Sequence, residues 1–331
     1  MTNLKHLNFP QMKAYDEMPP GEVVPFAMLK GPSNFVSKEI NTDREGFRFS
    51  SFDGKEKSFC NFDTSEVLNI IIGGSTAFGV GSSSDELTLS SMLMKNTGET
   101  WINLGVRGCV SLQEYMYLLK LIEKTQKIKR IIFLSGINDL YINTMKGEVN
   151  FFDNRFEFFN SNLSFYSPRR ISYTYLKSFF SRKSFNELLT GIKRIKKISN
   201  ANGIDITLDK YKRNFLLYKS LSMSLDISLT FVLQPFIYWT DKKISKKEKS
   251  TIEYLETKQL TTYWPKVSKI LKDENYYIKY SNGLEKLAIE NDLRFFDSNK
   301  WVNTSDTVFC DSVHINDLGN NILNECIIRE L

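Results

Sequence analysis

The chain has 331 residues, 41% of them hydrophobic, with 44 Lys plus Arg against 38 Asp plus Glu for a net charge of +6. This balance describes a folded globular protein and excludes a disordered or collagen-like chain. The longest apolar run, around Leu68 to Ile72, is far short of the roughly 20 residues of a membrane-spanning helix. The opening residues, MTNLKHLNFPQMKAYDEMPP, lack the apolar core of a secretory signal, so a cytoplasmic location is expected.

In chain order, residues 1 to 66 carry turn signals at Pro19-Pro20-Gly21, Gly31-Pro32 and Asp53-Gly54, and predict an N-terminal arm or small β-rich subdomain packed on the rest of the chain. Buried strands are expected at Val67 to Ile72, Trp101 to Leu104, Ile131 to Leu134, Leu229 to Leu233 and Leu293 to Phe296. Their apolar residues are continuous rather than alternating, as in parallel strands covered on both faces. Helices are expected at about Leu87 to Asn96, Leu112 to Thr125, Thr261 to Leu271, Ile278 to Glu290 and Asp317 to Glu330. Strands alternating with such helices predict an α/β fold, a three-layer α/β/α sandwich around a mainly parallel sheet. The domain so defined runs from 67 to 331, interrupted by a long insertion at about 141 to 225. Between Tyr141 and Phe180 there are twelve Phe or Tyr residues, and residues 141 to 250 hold 20 Lys plus Arg against 9 Asp plus Glu.

Chemistry is expected at the carboxyl ends of the strands, where open α/β sheets bind ligands. Gly73-Gly74-Ser75-Thr76-Ala77-Phe78-Gly79 comes after the first strand. A serine at this turn either stands at a helix entrance with backbone N–H groups beside it, as a nucleophile does, or merely caps the helix. Asn103-Leu104-Gly105-Val106-Arg107-Gly108 comes after the second strand and Gly136-Ile137-Asn138-Asp139 after the third. Glycine amides and an asparagine amide are suitable donors to an oxyanion, though each segment alone is also an ordinary turn. Near the C-terminus, Asp311-Ser312-Val313-His314 places a carboxylate close to an imidazole, with a plain surface histidine as the other reading. His6 and His314 are the only histidines. Cys60, Cys109, Cys310 and Cys326 show no CxxC or Cys/His spacing, so neither a metal site nor a cofactor is expected. Cys109 and Cys310 are read as small packing residues.

Taken in order, GGSTAFG, NLGVRG, GIND and DSVH resemble the SGNH (GDSL-type) hydrolase superfamily over about Val67 to Asn138 and Phe309 to Ile327, with FVLQP fitting a late strand. The resemblance implies a flavodoxin-like sheet, a nucleophilic Ser75, an oxyanion hole of the Ser75 and Gly108 N–H groups with Asn138, and a base formed by His314 and Asp311. Gly105 would then be structural. The chain departs from the family where the aspartate usual before the serine is replaced by Gly74. Asn41-Thr42-Asp43-Arg44-Glu45-Gly46-Phe47-Arg48 is similar to a leading segment of bacterial relatives associated with surface-polysaccharide pathways.

The implied activity is acyl-ester chemistry on a carbohydrate, most simply of an O-acetyl group, with discharge to water or to a sugar hydroxyl. An O-acylated carbohydrate or acyl donor is the expected partner. The basic stretch fits an acidic glycan, acyl-CoA phosphates or peripheral contact with an anionic membrane, and it equally fits a solvated surface. No nucleic-acid-binding module accompanies the charge. The competing reading is an inactive SGNH-like module that binds glycans or scaffolds other proteins. A phosphate loop at Gly74 to Gly79 is disfavoured because the loop lacks a lysine.

Overall fold

The structure, a computed structural model, describes residues 3–22, 29–146, 203–258 and 264–331. The N-terminal arm holds two short helices, α1 (Leu4–Asn8) and α2 (Met12–Glu17), and one hairpin, β1 (Ser50–Phe52) with β2 (Lys55–Lys57). Among the described residues regular strand in the arm is confined to that hairpin. Isolated antiparallel bridges, Glu22–Lys30, Val36–Asn41, Thr42–Arg48 and Ser58–Asn61, join its loops.

Beyond the arm, strands β3 (Leu68–Gly73), β4 (Thr100–Gly105), β5 (Ile128–Ser135), β6 (Ser228–Leu233) and β7 (Arg294–Asp297) form one parallel sheet in the order β4-β3-β5-β6-β7. This is the flavodoxin-like order, with its switch point beside β3, where successive connections leave toward opposite edges.

Strand residues alternate between two covered faces, which explains the continuous apolar runs. Ile70, Ile72, Ile131, Phe133, Phe231 and Leu233 share one core with residues of α5 (Ser111–Ile122), α6 (Ile137–Lys146), α7 (Gly203–Leu225) and α10 (Glu274–Glu290). Ile71, Ile132, Leu134 and Val232 face the other core. That core takes residues from the short helix α3 (Ser75–Phe78), α4 (Leu89–Thr97), α8 (Lys246–Lys258) and α11 (Asp317–Glu330). A further helix, α9, spans Trp264–Leu271. Among the described residues no helix is long and apolar enough to cross a membrane.

Residues 203–225, placed by the sequence inside the insertion, form a helix of the outer layer. Ile204, Thr207, Tyr211, Phe215 and Tyr218 lie at three- and four-residue spacing and are all fully buried. Residues 147–202, which hold nearly all of the aromatic stretch, lie outside the described residues.

The arm is held to the sheet's carboxyl edge by a fully buried arginine. Arg48 Nε donates to Asp85 Oδ1 at 2.7 Å, and Nη1 donates to Tyr15 Oη and to the Gly79 carbonyl at 2.8 Å each. Tyr15 Oη bonds the Gly79 and Ser82 carbonyls, also at 2.8 Å, so one cluster caps the carboxyl end of α3 from the arm. Phe9, Met12, Tyr15, Met18 and Ile40 pack there against Phe78, Val80 and Cys310.

Arg48→Met should lower unfolding free energy by about 3–5 kcal/mol, because it strands a buried Asp85 carboxylate. Urea titration of both proteins checks this. A loss below about 1 kcal/mol would mean that the pair contributes no more than a surface ion pair.

Candidate active site

Burial singles out the polar residues at the strand ends. From Leu68 to Ser82, Ser75 is the one residue that is not buried, and from Ile131 to Leu140 it is Asn138. A partly accessible serine at the end of a wholly buried strand and turn can reach a ligand while its backbone stays rigid. Ser75 opens α3, and Gly74 precedes it with an extended backbone.

The structure brings Ser75, His314 and Asp311 into one hydrogen-bonded chain. Ser75 Oγ lies 2.8 Å from His314 Nε2, and His314 Nδ1 lies 2.7 Å from Asp311 Oδ2. An ionised carboxylate can only accept, so the Nδ1 proton belongs between His314 and Asp311. Nε2 is then left to accept the serine hydroxyl. Asp311 Oδ1 accepts the backbone N–H groups of Val313 and His314, at 2.9 and 2.8 Å. Burial works against the Asp311 charge, but the charge and hydrogen bond of His314, with smaller help from Lys5 and the Val313 amide, hold its carboxyl well below the usual carboxylate range. Asp311 therefore stays ionised wherever His314 can act as a base. The other histidine, His6, pairs with Asp16 at 2.8 Å within the arm.

The loop carrying Asp311 and His314 is clamped at its base. Cys310 N–H donates to the His314 carbonyl and Asn316 N–H to the Val308 carbonyl, both at 2.8 Å, which closes a tight turn. Glu248 of α8 then accepts the Val308 and Phe309 N–H groups through Oε1 at 2.9 Å each. Its Oε2 takes Lys242 Nζ at 2.6 Å and Ser245 N–H at 2.7 Å. Both side chains of the Lys242–Glu248 pair are wholly inaccessible. Such a pair is costly to bury unless its remaining hydrogen-bonding capacity is used, as it is here. Ser245 and Glu248 form a capping box, a pattern readable from Ser245-Lys246-Lys247-Glu248 in the sequence.

The oxyanion-hole candidates are positioned by a second buried carboxylate. Asp139 Oδ2 accepts Ser111 N–H at 2.8 Å and Oδ1 accepts Ser111 Oγ–H at 3.0 Å, tying the start of α6 beside Asn138 to the start of α5 just after Gly108. Gly108 has φ +72°, in the left-handed region that favours glycine. Asn138 Nδ2 donates to the Cys109 carbonyl at 2.7 Å, which fixes the amide and leaves its second proton for a ligand. A Cβ on Gly74 would fall 2.5 Å from Asn138 Nδ2, so the departure from aspartate before Ser75 has a local reason in this structure. Gly105 ends β4 and packs against the backbone of Phe78, a structural position.

Ser75, Gly108, Asn138, Asp311 and His314 all line one cavity of about 410 Å³. Gln234, directly after β6, lines it too, and its Nε2 donates to Thr76 Oγ1 at 3.1 Å. The motif series leaves Gln234 out, although it stands at a strand end like the other site residues. Cys109 and Cys310 are fully buried. Burial, followed by the nearby Asp311 and Asp317 charges, pushes the Cys310 thiol well above its ordinary range and so keeps it protonated. Among the described residues no group of His, Cys, Asp and Glu could hold a metal ion.

In fold and in the order of its motif blocks, the chain resembles the SGNH (GDSL-type) hydrolases. No protein-family model matches it, and no curated protein does. It is similar to several solved structures. One is an acetyl xylan esterase, at 13% identity over 80% of this chain and 100% of that one with a TM-score of 0.43. Another is an acetylxylan esterase from Geobacillus stearothermophilus, at 13% identity over 80% and 94% with a TM-score of 0.39. A third is a member of the lipolytic protein G-D-S-L family from Veillonella parvula, at 10% identity over 79% and 96% with a TM-score of 0.41.

The supporting contacts yield two expected outcomes. Gly74→Ala should push the Asn138 amide aside and lower kcat by about 10²- to 10³-fold, as for losing one oxyanion donor, with KM little changed; steady-state kinetics on an aryl ester checks it. The Glu248 carboxyl is pushed up by burial, but the hydrogen bonds from Lys242, Phe309, Ser245 and Val308 hold it below its ordinary 4.5. Its contribution to stability is therefore full above about pH 4.5 and drains as pH falls through the lowered native value. The stability gap between wild type and Glu248→Gln should be widest near neutral pH and shrink at pH ~3 in urea titrations.

Proposed function

We propose that this chain is a serine-dependent acyl-ester enzyme of the SGNH type, acting on an O-acylated carbohydrate by hydrolysis or by transfer. The observation that supports it most is the unbroken chain from the partly buried Ser75 hydroxyl through His314 to the ionised Asp311. A free serine hydroxyl is a weak nucleophile and needs such a base.

In this reading His314 Nε2 takes the Ser75 proton as Oγ attacks the ester carbonyl, and Asp311 stabilises the imidazolium that forms. The carbonyl oxygen becomes an oxyanion facing the Ser75 and Gly108 N–H groups and the Asn138 amide. Collapse of the tetrahedral intermediate breaks the ester C–O bond. The His314 proton passes to the departing sugar oxygen, leaving an acyl-Ser75. Water or a second hydroxyl, deprotonated by His314, then attacks the acyl carbon and frees Ser75. Neither metal nor cofactor enters any of these steps. A carbohydrate acceptor and a place in surface-polysaccharide metabolism rest on the sequence resemblance, including that of the Asn41–Arg48 segment.

Wild type, Ser75→Ala and Asp311→Asn assayed on aryl acetates and O-acetylated sugars test the proposal. Ser75→Ala should abolish turnover, and Asp311→Asn should reduce kcat by about 10³- to 10⁴-fold. Adding free sugar acceptors separates the two outcomes: acylated sugar marks a transferase, and free acid alone marks a hydrolase. A Ser75→Ala protein as active as wild type would refute the assignment.

A further inference from the structure

Among the described residues, the cavity wall beyond the serine is mostly aliphatic. Ile137, Tyr141 and Ile142 approach from α6, Ile252 and Leu255 from α8, and Val313 from the loop between Asp311 and His314. Ile137 and Tyr141 are four apart, and Ile252 and Leu255 three apart, so each pair stands on one helix face. The two helices belong to opposite layers of the sandwich and converge over the carboxyl edge of the sheet.

Polyols are bound by free carboxylates and amides and by flat aromatic rings that stack on sugar faces. This wall offers little of that kind. Its carboxylate, Glu256, is engaged by Lys272 Nζ at 2.7 Å, and among the described residues Tyr141 is its one aromatic ring. Gln234 bonds Thr76 beside Ser75, with its buried Oε1 unpartnered among the described residues, and belongs to the catalytic end. Aliphatic walls gain instead from burying methylene groups. An acetyl group, with a single methyl, would leave most of a 410 Å³ cavity unfilled.

We infer that the aliphatic wall of α6 and α8 is an acyl-chain pocket selecting an acyl group longer than acetyl. This rests on Ser75 being the acylated residue and revises only the chain length. The sugar side of the ester then lies toward the cavity mouth.

The test is the nitrophenolate released in the acylation of Ser75, a step that a hydrolase and a transferase share, read as kcat/KM for p-nitrophenyl acetate, butyrate, hexanoate and octanoate with the full chain. Each methylene that enters the pocket should raise the acylation kcat/KM by up to about fourfold. Hexanoate should exceed acetate by about tenfold or more on that scale. Leu255 is half-buried, so Leu255→Trp should fold, with circular dichroism as the check, and fill the pocket. It should lower the hexanoate-to-acetate ratio by about tenfold, and Leu255→Ala should move the optimum toward octanoate. Acetate preferred by wild type, or one chain-length profile shared by all three proteins, overturns the pocket while leaving Ser75 as the nucleophile. Nitrophenolate release from none of the esters overturns the acyl-ester reading and the pocket with it.

Discussion

The carboxyl edge of the sheet is organised around the hydrogen bond between Asp311 and His314. It decides which ring nitrogen holds the proton, and so whether Ser75 meets an acceptor or a competing donor. It also joins two distant pieces of chain, since Ser75 opens the first crossover and His314 precedes the last helix. A parallel sheet makes the meeting achievable. With both faces of β3, β5 and β6 covered by apolar packing, polar side chains are left to the strand ends, and all five strands end on the same side.

Around that bond lie three buried charged groups, each bracing a different segment of the candidate site. Glu248 holds the backbone entering the Asp311–His314 turn, Asp139 holds the Gly108 and Asn138 segments together, and Arg48 braces the end of the helix that Ser75 begins. A carboxylate or guanidinium binds several backbone groups at once, which an apolar residue in its place could not do. The site is thus rigid where donors and acceptors must be exact in direction, and aliphatic beyond it.

Much of the fold is legible in the sequence because its strands are short continuous apolar runs bounded by glycine or polar residues. All five fall within a few residues of their expected positions, as does the helix Asp317–Glu330 with its Asn316 cap. Ser75, Gly108, Asn138, Asp311 and His314 can be picked out because each comes after a strand or closes the motif series in order. Less is visible where partners are remote in sequence. Nothing local to Arg48 announces Asp85, nor does anything near Glu248 announce Val308 and Phe309, although its capping box is readable. Helix α7 is hidden by its neighbours. Its buried positions repeat at helical spacing, but polar and basic residues between them make it look continuous with the stretch before it. The acyl wall escapes notice because Ile252 and Leu255 sit in a lysine-rich helix whose exposed face dominates its composition.

The most direct measurement is a crystal structure of the protein after reaction with a fluorophosphonate. A phosphorus atom bonded to Ser75 Oγ is predicted, with its anionic oxygen within hydrogen-bond reach of the Ser75 N–H, the Gly108 N–H and Asn138 Nδ2. His314 Nε2 should face the leaving-group position. A protein that stays unmodified while folded, or an adduct whose oxygen turns away from Gly108 and Asn138, would contradict the account.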